Sequence, residues 1–201
     1  MFRKIAILSL FVVTLSIIGI LAFSNTKDQN PESSAAIKIS NFTLNDTYKK
    51  EHSLSDYKDS EAILILFIAT QCPVSNAYNT RMVELYNQYH DKDIAILGIN
   101  SNKQENLDEC REHAEKHGFE FPVLKDEKNV IADMFEASVT PEAYALNPET
   151  YEILYHGRID DSRNESSIES KDLEDALNEI LAGKSVSVDE TKAFGCTIKR
   201  I

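Results

Sequence analysis

The chain has 201 residues, 42% of them apolar and 27% charged, with a net charge of −12. That length holds one domain with a sizeable core plus flanking segments. Residues 1–24 carry Arg3 and Lys4 and no acid, so the rest stands at −14, which argues against nonspecific nucleic-acid binding and docking on anionic lipid.

Residues 1–24 read as an export signal: Arg3 and Lys4 form a positive n-region, Ile5 to Phe23 is apolar, and cleavage after Ser24 fits the small residues there. The apolar stretch 5–23 is also nearly long enough to span a bilayer, so an uncleaved anchor is the alternative. Both readings put the remainder outside the cytoplasm, periplasmic or in the cell envelope, because the positive end stays inside. No cysteine lies near the cleavage point, which argues against a lipoprotein anchor. Residues 25–36 are polar and read as a linker, and residues 37–182 as the folded domain.

Ile37–Leu44 alternates apolar and polar like a half-buried edge strand. Ala62–Ala69 and Ile94–Ile99 are continuous apolar runs, suited to strands buried on both faces of a parallel sheet. Between them, Val74, Tyr78, Met82, Leu85, Tyr86 and Tyr89 recur at helical spacing, and one helix is expected from Cys72 to about His90. A second helix is expected from Gln104 to Lys116, ended by Gly118. Phe121–Leu124 reads as a short strand and Asn129–Glu136 as a short helix. Glu142–Leu146 and Tyr151–Tyr155 flank the turn sequence Asn147-Pro-Glu-Thr150 and should form a hairpin. Ser170–Ala182 is an amphipathic helix, and the tail 183–201 has no clear periodicity. The order implies an α/β domain whose central mixed sheet has helices on both faces.

Cys72 carries the most information. It sits between a buried strand and a helix start, where free N–H groups and the positive helix end favour a thiolate. Pro73 suits the first helical position, where a missing N–H costs nothing. The partner of a Cys-x-x-Cys pair is absent, and Ser75 stands in its place.

Three segments carry a family resemblance: Phe67-Ile-Ala-Thr-Gln-Cys-Pro-Val-Ser75, Phe121-Pro-Val-Leu-Lys-Asp126 and Ala137-Ser-Val-Thr-Pro-Glu-Ala-Tyr144. From about Ile37 to Ala182 the chain resembles the thioredoxin-like superfamily, in its redoxin branch of AhpC/TSA-like and exported TlpA-like proteins. The resemblance implies a thioredoxin-like fold and thiol–disulfide oxidoreductase activity with Cys72 as nucleophile. It also implies a cis-proline loop at Thr140-Pro141 that lies against Cys72, with Pro141 positioning substrate and Pro73 and Thr140 bordering it. Proline is the residue that accepts a cis bond, and a strand start tolerates its missing N–H.

The chain departs from the family in three places. Ser75 replaces the second motif cysteine. Peroxiredoxins carry threonine three positions before their reactive cysteine, where this chain has Ala69, and Thr70 is one residue too close. The acid that many thioredoxins bury in the preceding strand has no counterpart in Ala62–Ile68. Of the other two cysteines, Cys110 lies on an apolar helix stripe and reads as a buried small hydrophobe. Cys196 follows Gly195 and precedes Lys199 and Arg200 in a tail without evident structure, a setting suited to a mobile resolving thiol. Three outcomes stay open: a redox pair with Cys72, a static bridge, or no pairing.

No organic cofactor and no metal is implied. Reducing equivalents would come from a separate protein, and partners would be protein thiols, disulfides or a hydroperoxide. Two alternatives stand beside the oxidoreductase: a thiol peroxidase built on the same Cys72, and a non-catalytic module holding a client thiol, haem or copper. His113 and His117 share a helix face but lack an evident third ligand. Arg81 reads as a solvated helix charge, with thiolate stabilisation as the other option. Arg158, Asp160 and Asp161 read as a structured loop bordering the site.

Overall fold

A computed structural model describes residues 38–201. The signal or anchor at 1–24 and the linker at 25–36 lie outside the described residues.

The centre is β3 (Ala62–Phe67), in which every residue is buried. It pairs in parallel with β4 (Ile94–Asn100), which pairs in parallel with β5 (Val123–Lys125). On its other side β3 meets β7 (Glu142–Leu146) antiparallel, and β7 turns back antiparallel into β8 (Ile153–Gly157). The sheet order β5-β4-β3-β7-β8 is the mixed sheet expected from the two apolar runs and the hairpin.

Alternation along β3 divides the core, because successive side chains point to opposite faces. Leu64 and Leu66 meet Tyr78, Met82 and Leu85 of the segment that includes α2 (Asn79–Tyr89). The same layer holds Cys110 and Ala114 of α3 (Leu107–His117) and Leu173 and Leu177 of α5 (Asp172–Leu181). Ile63, Ile65 and Phe67 face Ile131 and Ala132 of α4 (Val130–Met134), together with Phe135 and Tyr144. Helices therefore cover both faces. Asn106 begins α3 with a reciprocal cap to Glu109, and Gly118 ends it at φ +71°, where a side chain is disfavoured.

Three expectations need correction. The half-buried strand at Ile37–Leu44 reduces to β1 (Thr43–Asn45), paired with β2 (Glu51–Ser53) in a separate ribbon. The continuous helix after Cys72 is two helices, α1 (Pro73–Asn76) and α2, separated by Ala77 and Tyr78. Tyr78 is drawn into the core there, and its hydroxyl donates to Asp160 (2.9 Å).

The tail also has structure. His156 N–H donates to the Asp189 carbonyl (2.8 Å), and Thr191 N–H donates back to the His156 carbonyl (2.9 Å), so residues 189–191 run beside β8. The tail ends as β9 (Cys196–Thr197), antiparallel to β6 (Val139–Thr140). Its lack of periodicity follows from docking through single residues rather than a continuous face. Ile198, 3% exposed, joins the cluster of Phe67, Phe135 and Tyr144, and burying that side chain is worth about 1.5–3 kcal/mol.

Candidate active site

Cys72 caps α1 and is 4% exposed. The Ser75 N–H donates to its sulfur (3.3 Å). A four-residue helix has little macrodipole, so this directed N–H is the main local help for a thiolate. Ser75, at the position of the absent second cysteine, is 1% exposed, and its hydroxyl oxygen accepts the Ala69 N–H (3.1 Å). Its role is to satisfy the strand-to-helix turn, which a thiol would do weakly.

Cys72 and Cys196 are joined by a disulfide, with Cα atoms 5.9 Å apart across a sequence separation of 124. The Thr140–Pro141 bond is cis, and the Thr140 carbonyl oxygen stands 3.3 Å from Cys72 Sγ. Thr140 is paired directly with Cys196. Residues 72, 140, 141 and 196, far apart in sequence, thus meet at one point. Cys110 is elsewhere, buried in the core, and burial pushes its thiol pKa up to about 12. With the Cys72 bond closed, the tail around Cys196 is docked and not unstructured. Lys199 is held by its backbone, its N–H donating to Asn102 Oδ1 (2.7 Å) and its carbonyl accepting the Lys103 N–H (2.9 Å). The Arg200 guanidinium pairs with Asp133 (2.8 Å).

Two buried carboxylates support the site, and both escaped the sequence reading. Glu105, 1% exposed, accepts the N–H groups of Thr70 (2.7 Å) and Gln71 (3.1 Å), which lead into Cys72. It also accepts from Asn100 and Asn102 side chains. Asn102 therefore links the Glu105 carboxylate to the docked tail. Glu142 follows the cis-proline and accepts the N–H groups of Ser138 (2.7 Å) and Val139 (3.1 Å), as well as His156 Nε2 (2.7 Å). Burial opposes its ionisation, but these donors outweigh burial and hold the carboxyl below its usual range. One acid opening an otherwise apolar strand, Glu142-Ala-Tyr-Ala-Leu146, is the signal that could have flagged it. Glu105 had none, since the groups that tie it to the site are the backbone N–H groups of Thr70 and Gln71, 35 and 34 positions away, and its nearby partners Asn100 and Asn102 are ordinary polar residues.

Arg81 is not solvated, and its hydrogen bonds go to Asp160 and to backbone carbonyls, none of them to Cys72. It is 7% exposed, paired with Asp160, stacked 3.6 Å from the Tyr78 ring centroid, and bonded to the carbonyls of Ser162 (2.8 Å) and Arg163 (2.9 Å). It braces α2 against the loop after β8. Arg158 pairs with Asp172 (2.7 Å), and Asp161 accepts the Glu169 N–H (2.9 Å), so that loop is a structural junction. His113 and His117 lie side by side, their ring centroids 4.4 Å apart and their planes tilted by 43°. Burial, then the neighbouring His117, lowers the His113 pKa to about 4. Among the described residues no group of three or more His, Cys, Asp or Glu side chains is placed to hold a metal.

The model of the AhpC/TSA family matches residues 36–162. The chain belongs to the AhpC/TSA family. It is a redoxin of the thioredoxin superfamily. Thiol-disulfide oxidoreductase ResA of Geobacillus kaustophilus is 24% identical over 139 residues, 69% of this chain and 78% of that protein. The crystal structure of a hypothetical protein from Sinorhizobium meliloti 1021 aligns at TM-score 0.76 and 28% identity, covering 83% of this chain and 94% of that one. A candidate thiol:disulfide interchange protein, DsbE, from Chlorobium tepidum aligns at TM-score 0.61 and 16% identity, over 73% and 96% of the two chains. The expected thioredoxin-like α/β fold is therefore the fold of this redoxin.

Proposed function

We propose that this redoxin is an extracytoplasmic thiol–disulfide oxidoreductase in which Cys72 is the nucleophile and Cys196 the resolving thiol. The observation that carries the reading is the Cys72–Cys196 bond beside the cis Thr140–Pro141 peptide. ResA, over most of its length, is a relative named for the same chemistry.

In the reduced chain the Cys72 thiolate attacks one sulfur of a client disulfide. A Cys72–client mixed disulfide forms and the first client thiolate leaves. The Cys196 thiolate then attacks Cys72 Sγ, the mixed bond breaks, and the second client thiolate leaves. The client gains two electrons and the chain closes its own disulfide. A dithiol of a separate protein donor reopens it. Pro141 and Thr140 position the client chain, and Pro73 fixes the turn that presents Cys72. With Ala69 three positions before Cys72, the hydroxyl a peroxidase would place there is absent, which favours disulfides over peroxides as substrates. The apolar stretch 5–23 supplies export or anchoring.

The test is trapping. Reduced Cys196→Ser protein mixed with glutathione disulfide should accumulate a mixed disulfide at Cys72, whereas the unaltered chain should release glutathione and close its own bond. Turnover retained by Cys72→Ser would refute the assignment. Recovery of the folded domain in the cytoplasmic fraction of expressing cells would refute the location.

A further inference from the structure

The tail ending is bound as a peptide ligand is bound. Strand β6 belongs to no part of the central sheet and has β9 as its partner in a two-stranded pairing. An unpaired strand edge recognises an extended chain through its backbone, with pockets for alternate side chains. The segment 194–199 meets that description at each residue. Phe194 packs edge-on to Tyr78 with centroids 6.3 Å apart. Cys196 faces inward to Cys72, Thr197 faces solvent, and Ile198 is inward again, its N–H donating to the Ser138 carbonyl (3.0 Å). The Lys199 backbone is clamped on both sides by residues 102 and 103. At Gly195 a Cβ would lie 2.0 Å from the Thr140 carbonyl oxygen and 2.6 Å from its carbon. Backbone forms that wall, so it cannot yield as a side chain would.

Resting on the proposed function, we infer that the tail is a tethered occupant of the client-docking strip, and that the strip selects extended peptides with glycine immediately before the cysteine and an aliphatic residue two positions after it. The oxidised chain then holds its own tail in the place of a client. Reduction of Cys72–Cys196 by a dithiol donor releases the covalent tie, and the client and the tail compete for one edge. Selectivity is written in the rigid Thr140 carbonyl and in the apolar seat of Ile198, while the backbone pairing accepts any sequence.

The experiment uses the full chain carrying Cys196→Ser and three synthetic hexapeptides, each linked through its cysteine to 5-thio-2-nitrobenzoate. One has the tail sequence Phe-Gly-Cys-Thr-Ile-Lys, one has valine for glycine, and one has aspartate for isoleucine. Attack by Cys72 on the peptide sulfur releases coloured thionitrobenzoate and leaves a Cys72–peptide disulfide, countable by mass. Rates are divided by those of each peptide with dithiothreitol to remove intrinsic reactivity. The tail-sequence peptide should react at least tenfold faster than either variant, the factor set by about 1.4 kcal/mol. All comparisons are made on one protein, so no folding difference enters. A smaller preference, with Cys72 still exchanging readily with glutathione disulfide, overturns the inference and leaves the proposed function standing. Failure of Cys72 to exchange with glutathione disulfide at all overturns the proposed function and this inference with it.

Discussion

Gly195→Ala separates a docked tail from one merely tied by sulfur. The added Cβ would stand 2.0 Å from the Thr140 carbonyl oxygen, and ordinary contact begins near 3.4 Å, so the tail must retreat by about 1.4 Å. Overpacking of this kind costs about 1–3 kcal/mol. The penalty falls on the oxidised chain, in which the Cys72 bond holds residue 196 against Thr140. In the reduced chain the tail is free to move away and shed the strain. At 30 mV per 1.4 kcal/mol for two electrons, the disulfide potential should rise by about 20–65 mV. Glutathione buffers of graded poise, an alkylating quench and mass counting of modified thiols measure it. An unchanged potential together with a lower melting temperature would refute the reasoning, because it would mean that the tail stays pressed on Thr140 in both redox states.

Other outcomes follow from the same contacts. Arg81→Ala leaves Asp160 buried without its cation, so unfolding free energy should drop by about 3–5 kcal/mol, while the thiolate titration of reduced Cys72 stays in place; a shifted titration would return Arg81 to the active site. Glu142 is held below its ordinary 4.5, so its contribution is complete above that pH and is lost as pH falls through the lowered value. Glu142→Gln should therefore flatten the fall in urea midpoint below pH 4.5, and parallel curves for the two proteins would count against the His156–Glu142 pairing. After reduction, iodoacetamide at pH 8 should modify Cys72 and Cys196 and spare Cys110, whose thiol burial raises to about 12; native labelling of Cys110 would show that its helix opens.

Local pattern was enough for the elements that depend on nearest neighbours. The runs Ala62–Ala69 and Ile94–Ile99 could only be strands covered on both faces, and the turn at Asn147–Thr150 could only return the chain into a hairpin. Cys72 was legible because a thiol at a strand-to-helix turn is a local arrangement; the cis Thr140-Pro141 bond came from the family resemblance, since a proline before a strand is compatible with either isomer. Arg81 misled for the opposite reason: its partner Asp160 lies 79 positions away, and a helix charge looks solvated until that partner is known. Glu105 was hidden likewise, since the backbone N–H groups through which it reaches Cys72 carry no residue signature.

The sequence alone determined that this chain is an α/β redoxin with one thiol placed for chemistry. The sequence also offered Cys196 as a candidate partner but left its pairing open, and the tertiary structure joins it to Cys72. The tail looked unstructured because its order comes from isolated anchors, with Gly195 against Thr140, Ile198 in the Phe67 cluster and Lys199 on Asn102. Contacts of that kind have no period to read. They exist only after the sheet, the cis-proline loop and α4 have been assembled around the place where the tail lies down.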